Sequence, residues 1–86
     1  MREIILVGAP WCGACKAMKV WFDGLSYPGV TLRYVDVNDA QFVDGESAST
    51  LPTVMFVEDG LVVQKIAGAV GQPEFERITR SLWIGA

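Results

Sequence analysis

Trp11-Cys12-Gly13-Ala14-Cys15 contains both cysteines of the 86-residue chain, with two residues between them. The motif follows an apolar run, Ile4 to Val7, and opens an amphipathic stretch. Thiols at that spacing suit reversible exchange between a dithiol and a disulfide. The first turn of a helix leaves backbone N–H groups unpaired and carries partial positive charge, so it stabilises a thiolate. The thiolate, not the thiol, is the nucleophile. A second cysteine one helical turn further on can close a short disulfide and release whatever the first has captured. Cys12 is therefore expected to attack, and Cys15, on the inward face, to resolve.

Two other uses of a cysteine pair compete with this one. A tetrahedral zinc site usually takes four Cys or His ligands, and the chain has two cysteines and no histidine, so no metal is expected. A structural disulfide gains most when it closes a long loop, whereas this one would close a minimal ring. Redox chemistry is the favoured use, with the Cys12–Cys15 disulfide itself as the redox group and no bound cofactor.

About half of the residues are apolar, 51%, which at this length gives one compact domain over residues 1–86 with a small core. Seven Lys and Arg against ten Asp and Glu leave a net charge of −3, the opposite of a phosphate-tracking surface, so no nucleic-acid partner is expected. No stretch approaches the roughly 18 apolar residues of a membrane span. Pro10 and the cysteine motif, not a cleavage site, interrupt the apolar N-terminal run. The expectation is a soluble, cytoplasmic monomer that binds no membrane.

The elements that must position the cysteines follow from the pattern. Ile4-Ile5-Leu6-Val7 is a continuous run rich in β-branched residues, the pattern of a strand buried on both faces. From about Ala14 to Leu25 the pattern is helical, with Cys15, Met18, Phe22 and Leu25 on one face. Gly24 and Ser26-Tyr27-Pro28-Gly29 end that helix and turn the chain. Val30 to Val37 reads as a second strand. Asn38-Asp39 can cap a short helix over Ala40 to Ser47, anchored by Phe42 and Val43. Val54 to Val57 is a third strand, Glu58-Asp59-Gly60 a hairpin turn and Leu61 to Ala67 a fourth strand. Pro73 and Glu74 suit the first turn of a last helix, whose buried stripe is Phe75, Ile78, Leu82 and Trp83. The order β-α-β-α-β-β-α predicts parallel first and second strands and antiparallel third and fourth strands. A four-stranded mixed sheet with helices on both faces follows.

With the cysteine motif at the first strand-to-helix junction, the chain resembles the thioredoxin superfamily, and the resemblance covers nearly its whole length. Ala9-Pro10-Trp11-Cys12-Gly13-Ala14-Cys15-Lys16 is similar to that family's active-site signature. Leu51-Pro52-Thr53 matches the segment where the family carries a cis-proline, and Gly60 and Gly68 fall at its turn and groove glycines. The implied fold is a thioredoxin-like three-layer α/β/α domain. In size the chain is similar to glutaredoxins and to small glutaredoxin-like thioredoxins, lacking the strand and helix that precede the core in thioredoxins.

The resemblance implies a thiol-disulfide oxidoreductase that reduces protein disulfides, with Cys12 and Cys15 as catalytic residues. Trp11, Gly13, Leu51, Pro52, Ala67, Gly68 and Ala69 would line an apolar groove in which main-chain hydrogen bonds hold an extended substrate. A flavoprotein thioredoxin reductase is the implied electron donor, and ribonucleotide reductase is among the implied substrates. A glutathione-dependent glutaredoxin is disfavoured, because Gly68-Ala69-Val70-Gly71 lacks the acidic anchor of the Gly-Gly-x-Asp type. A non-catalytic binding subunit using the same groove is the alternative from a different class. Two departures stand out. Leu6 replaces the buried acid that thioredoxins use in proton transfer, and Tyr34 stands where its basic companion is expected. Ala14 replaces the usual proline between the cysteines, a position associated with tuning a potential that runs from about −270 mV in thioredoxin to about −200 mV in glutaredoxins.

Overall fold

The computed structural model describes residues 1–38 and 50–84. In chain order the elements are β1 (Arg2–Gly8), α1 (Gly13–Phe22), β2 (Val30–Asp36), β3 (Thr53–Glu58), β4 (Leu61–Ala67) and α2 (Gln72–Thr79), which runs on as a π-helical turn over Arg80–Ile84. The expected short helix over residues 40–47 lies outside the described residues.

The strands form one sheet in the order β2-β1-β3-β4. β1 pairs parallel with β2 and antiparallel with β3, and β3 pairs antiparallel with β4. The two strands with continuous apolar runs, β1 and β3, take the centre, as burial on both faces requires. Asp59 and Gly60 both have positive φ, 52° and 84°, which matches the right-handed twist of the hairpin they close. Between Phe56 and Val57 the register shifts by one residue, leaving Val63 as the extra residue of the edge strand β4.

Alternate residues of the central strands serve opposite faces. Ile4, Leu6, Val54 and Phe56 pack with Met18 and Phe22 of α1 and Phe75 of α2, so the two described helices share one face. Ile5, Val7, Met55 and Val57 are buried on the other, with Val35, Val37, Leu51 and Val62 packed about them. Phe75 is the hub of the first cluster. Its ring lies 5.3 Å from Trp21, 6.0 Å from Phe22 and 5.9 Å from Phe56, centroid to centroid.

Two expectations need correction. α1 ends at Phe22, so Leu25 lies beyond the helix and is only half-buried; the Asp23 amide closes the last turn on the Lys19 carbonyl at 2.9 Å. On α2, Leu82 is exposed and Thr79 takes a buried place. The wider π turn after Thr79 breaks the 3.6-residue spacing that put Leu82 on the apolar stripe. Trp83 instead returns to the core edge-on to Phe56, and its indole N–H donates to Glu58 at 3.2 Å.

Candidate active site

The cysteine motif begins where β1 ends, and β3 starts at the same end of the sheet, because Val7 pairs with Thr53 in the antiparallel ladder. β4 finishes there too, with Ala67 opposite Thr53. Three segments far apart in sequence, 9–15, 50–53 and 67–69, are thus delivered to one end of the sheet by strand direction.

Cys12 is the N-cap of α1. Its backbone is extended, its N–H donates to the Ala9 carbonyl and its carbonyl accepts the Lys16 N–H, both at 3.1 Å. Its sulfur accepts the backbone N–H of Cys15 at 3.1 Å. Sulfur here does what a serine or aspartate oxygen does at other helix starts, filling a donor that the helix cannot. The first turn contains no acidic residue that would offset the positive end of the helix beside that sulfur.

The two cysteines are joined in a disulfide with Cα atoms 5.2 Å apart. They differ in access. Cys12 is half-buried, whereas Cys15 is fully buried against the core face of α1. Trp11, 67% exposed, stands out from the loop before Cys12, while Gly13, Ala14 and Lys16 are exposed around it.

On the facing segment the Leu51-Pro52 peptide bond is cis. Pro52 is buried and Leu51 half-buried, and the Thr53 hydroxyl donates to the Thr50 carbonyl, tightening the turn. Gly68, with φ of 96°, reverses the chain after β4 and its N–H donates to the Pro52 carbonyl at 2.8 Å. Only a residue without a Cβ takes that φ readily. Ala67 and Ala69 on either side are exposed. Of the residues expected at the site, Cys12 and Cys15 are bonded to each other, and Pro52 and Gly68 are joined directly. Trp11 and Gly13 flank the former, Leu51, Ala67 and Ala69 the latter.

Leu6 is fully buried in the core cluster that packs against α1 and brings no charge there. Gly8 went unremarked in the sequence and matters here, for Tyr34 and Cys15 occupy the space that its Cβ would need. A glycine closing an otherwise β-branched strand is the signal that would have marked this close approach. Among the described residues, no group of three or more His, Cys, Asp or Glu is placed to hold a metal ion. No helix among them is long and apolar enough to cross a membrane.

Comparison with known proteins agrees with this geometry. The family model for thioredoxin matches residues 2–81. Over 69 residues the chain is 38% identical to thioredoxin of Equus caballus, an alignment covering 77% of this chain and 66% of that protein. It is 38% identical over 73 residues to thioredoxin H-type 2 of Nicotiana tabacum, covering 79% and 62%. The chain thus spans a little under two thirds of the length of these relatives. Among solved structures it is similar to a poplar thioredoxin h, with a TM-score of 0.80 at 28% identity over 94% of this chain and 75% of that one. The fold is also that of a Plasmodium falciparum thioredoxin, with a TM-score of 0.81 at 23% identity over 93% and 80%. A paired-cysteine N-cap, a cis-proline turn tied to a positive-φ glycine and a family match over nearly the whole length converge, and the chain belongs to the thioredoxin family.

Proposed function

We propose that this chain is a thiol-disulfide oxidoreductase that reduces protein disulfides, acting as a single domain over residues 1–86. The observation that carries the reading is the asymmetry of the pair: a half-buried Cys12 whose sulfur caps the helix N-terminus, bonded to a Cys15 that is fully buried. In the dithiol form Cys12 attacks a substrate disulfide as thiolate. Cys15 then attacks the Cys12 sulfur of the mixed disulfide, the substrate leaves with both electrons, and the pair is left oxidised. Exchange is fastest when the attacking thiol has a pKa near ambient pH, since thiolate fraction and nucleophilicity oppose each other.

The substrate groove is formed by Trp11, Gly13, Leu51, Pro52, Ala67, Gly68 and Ala69. The exposed Trp11 supplies apolar contact, and the main chain around Leu51 pairs with an extended peptide. Substrates are disulfide-containing proteins, with ribonucleotide reductase as one member of that class, and a flavoprotein thioredoxin reductase supplies electrons in the cytoplasm. The lack of an acidic residue in Gly68-Ala69-Val70-Gly71 supports that donor over glutathione.

The test is reduction of insulin disulfides by the protein supplied with a thioredoxin reductase and NADPH, or with glutathione and glutathione reductase. Turnover with the first system and little with the second is expected. The reverse preference would assign the protein to glutaredoxin chemistry. Failure with both, together with partner binding by a Cys12→Ser/Cys15→Ser variant, would make it a binding subunit. The reduction potential of the pair provides a second measure: a value near the thioredoxin end, about −270 mV, fits a reductant.

A further inference from the structure

Gly8 is the last residue of β1, and a Cβ built on it would lie 2.9 Å from Cys15 Cβ, 2.9 Å from Tyr34 Cζ and closer still to the Tyr34 hydroxyl oxygen. Atoms that crowd one point from two sides are in each other's immediate neighbourhood. The missing side chain of Gly8 therefore leaves a space that the Tyr34 phenol and the Cys15 side chain border together, with the resolving sulfur one bond beyond the Cys15 Cβ. β1–β2 register explains the approach: Tyr34 pairs with Leu6, two residues before Gly8, and its ring extends along the α1 face of the sheet.

We propose that the Tyr34 hydroxyl is the hydrogen-bond donor that stabilises the Cys15 thiolate during resolution. The inference rests on the disulfide-reductase reading. In that step the Cys15 thiol gives up its proton and its sulfur forms a bond to the Cys12 sulfur. The bond between Cys12 and the substrate sulfur breaks, and the departing substrate thiolate takes up a proton through water. Tyr34 keeps its own proton throughout and acts only by donating to the sulfur that becomes negative.

The charged and polar groups around it leave the phenol in that role. Leu6, its partner on β1, is apolar. From α1, the Lys19 ammonium stands 5.3 Å from the centroid of the Tyr34 ring and is paired with Asp23 at 2.6 Å. Lys16 of the same helix is exposed. Asp36, further along β2, accepts the Asn38 N–H at 2.8 Å. On β3 the Thr53 hydroxyl is committed to the Thr50 carbonyl. The Lys19 ammonium over the ring adds a cation–π contact that favours this placement of the ring.

The experiment uses the full chain with Tyr34→Phe, which retains the ring and removes only the hydroxyl. In a Cys12→Ser background, titrating Cys15 by ultraviolet thiolate absorbance is expected to show a midpoint about one pH unit higher, or more, than with Tyr34 present, the size of one hydrogen bond to a charged group. With Cys12 intact, a mixed disulfide formed with a model disulfide peptide should form at the unaltered rate and resolve about tenfold more slowly. An unchanged Cys15 midpoint overturns the proposal. If the parent protein captures no disulfide substrate, the reductase reading falls, while the Cys15 titration still decides the contact. Should Tyr34→Phe fail to fold, fluorotyrosine at position 34 in a Tyr27→Phe background preserves the shape with a stronger donor. A lowered Cys15 midpoint then supports the role and an unmoved one overturns it.

Discussion

The backbone N–H of Cys15 is aimed at the sulfur of Cys12, 3.1 Å away, so the atom that must carry negative charge already has a donor built into the first turn of α1. A donor and the positive end of a helix favour the thiolate over the thiol, which raises the reactive fraction of the attacking sulfur at neutral pH. In the reduced protein, limiting iodoacetamide at pH 7 should modify Cys12 at least about tenfold faster than Cys15, as peptide mass mapping would show. Equal labelling would remove the basis for assigning the attack to Cys12.

Trapping gives a separate check on the roles. A Cys15→Ser variant should accumulate a reductant-sensitive adduct on Cys12 when mixed with a disulfide substrate, because the resolving sulfur is gone. A Cys12→Ser variant should form little, since Cys15 is buried. Adducts on both variants in similar amounts, read by non-reducing electrophoresis, would reverse or erase the assignment.

Gly68 joins backbone geometry to the site. Its φ of 96° is a conformation that residues with a Cβ rarely adopt, although the space beside it is open. Gly68→Ala should therefore destabilise the fold by about 1–2 kcal/mol through strain rather than clash. It should also disturb the bond to the Pro52 carbonyl and so raise KM for protein disulfides more than it alters Cys12 alkylation. Urea unfolding and insulin reduction measure the two effects, and a neutral outcome in both would show that the turn accommodates a side chain.

Phe75 carries the packing of α2 onto the sheet, fully buried among Trp21, Phe22 and Phe56. Phe75→Ala should cost about 3–5 kcal/mol of stability, a large share of what a small domain has. Phe75→Leu should cost less, since it retains much of the volume. Denaturant midpoints for the two variants provide the comparison.

Tyr27 holds a buried hydroxyl with no hydrogen-bond partner among the described residues, near Thr79, whose hydroxyl donates to the Phe75 carbonyl at 2.9 Å. Burial, helped by the Glu76 carboxylate, raises its pKa above the ordinary tyrosine value of 10.0, with Thr79 and Arg80 opposing. A raised folded-state pKa means a stability contribution present in full below the unfolded value and lost as pH climbs through the folded one. Stability should therefore fall above about pH 10 with a component that Tyr27→Phe abolishes. At neutral pH that variant should be neutral or stabilising by up to about 1 kcal/mol, since it deletes an orphaned polar group. A loss of stability at neutral pH would show that the hydroxyl is satisfied.

Much of this protein is written in local patterns. The continuous run Ile4–Val7 marks a central strand because only burial on both faces tolerates it, and Asp59-Gly60 marks the hairpin because its turn needs two positive φ values. The spacing of Cys12 and Cys15 marks the redox pair, since one helical turn separates a half-buried N-cap from the fully buried face. Leu82 was misplaced by the same logic: a regular 3.6-residue period cannot foresee a π turn, which is set by how Trp83 seats against Phe56 and Glu58. Contacts between distant segments needed the fold. Gly68 meets Pro52 only because β3 and β4 run antiparallel and β4 finishes where β3 begins, and the Tyr34 phenol borders the space beside Gly8 and Cys15 only because β2 pairs with β1 in its particular register. Local rules act through neighbours three or four residues apart, whereas strand register is decided by the burial of whole faces at once.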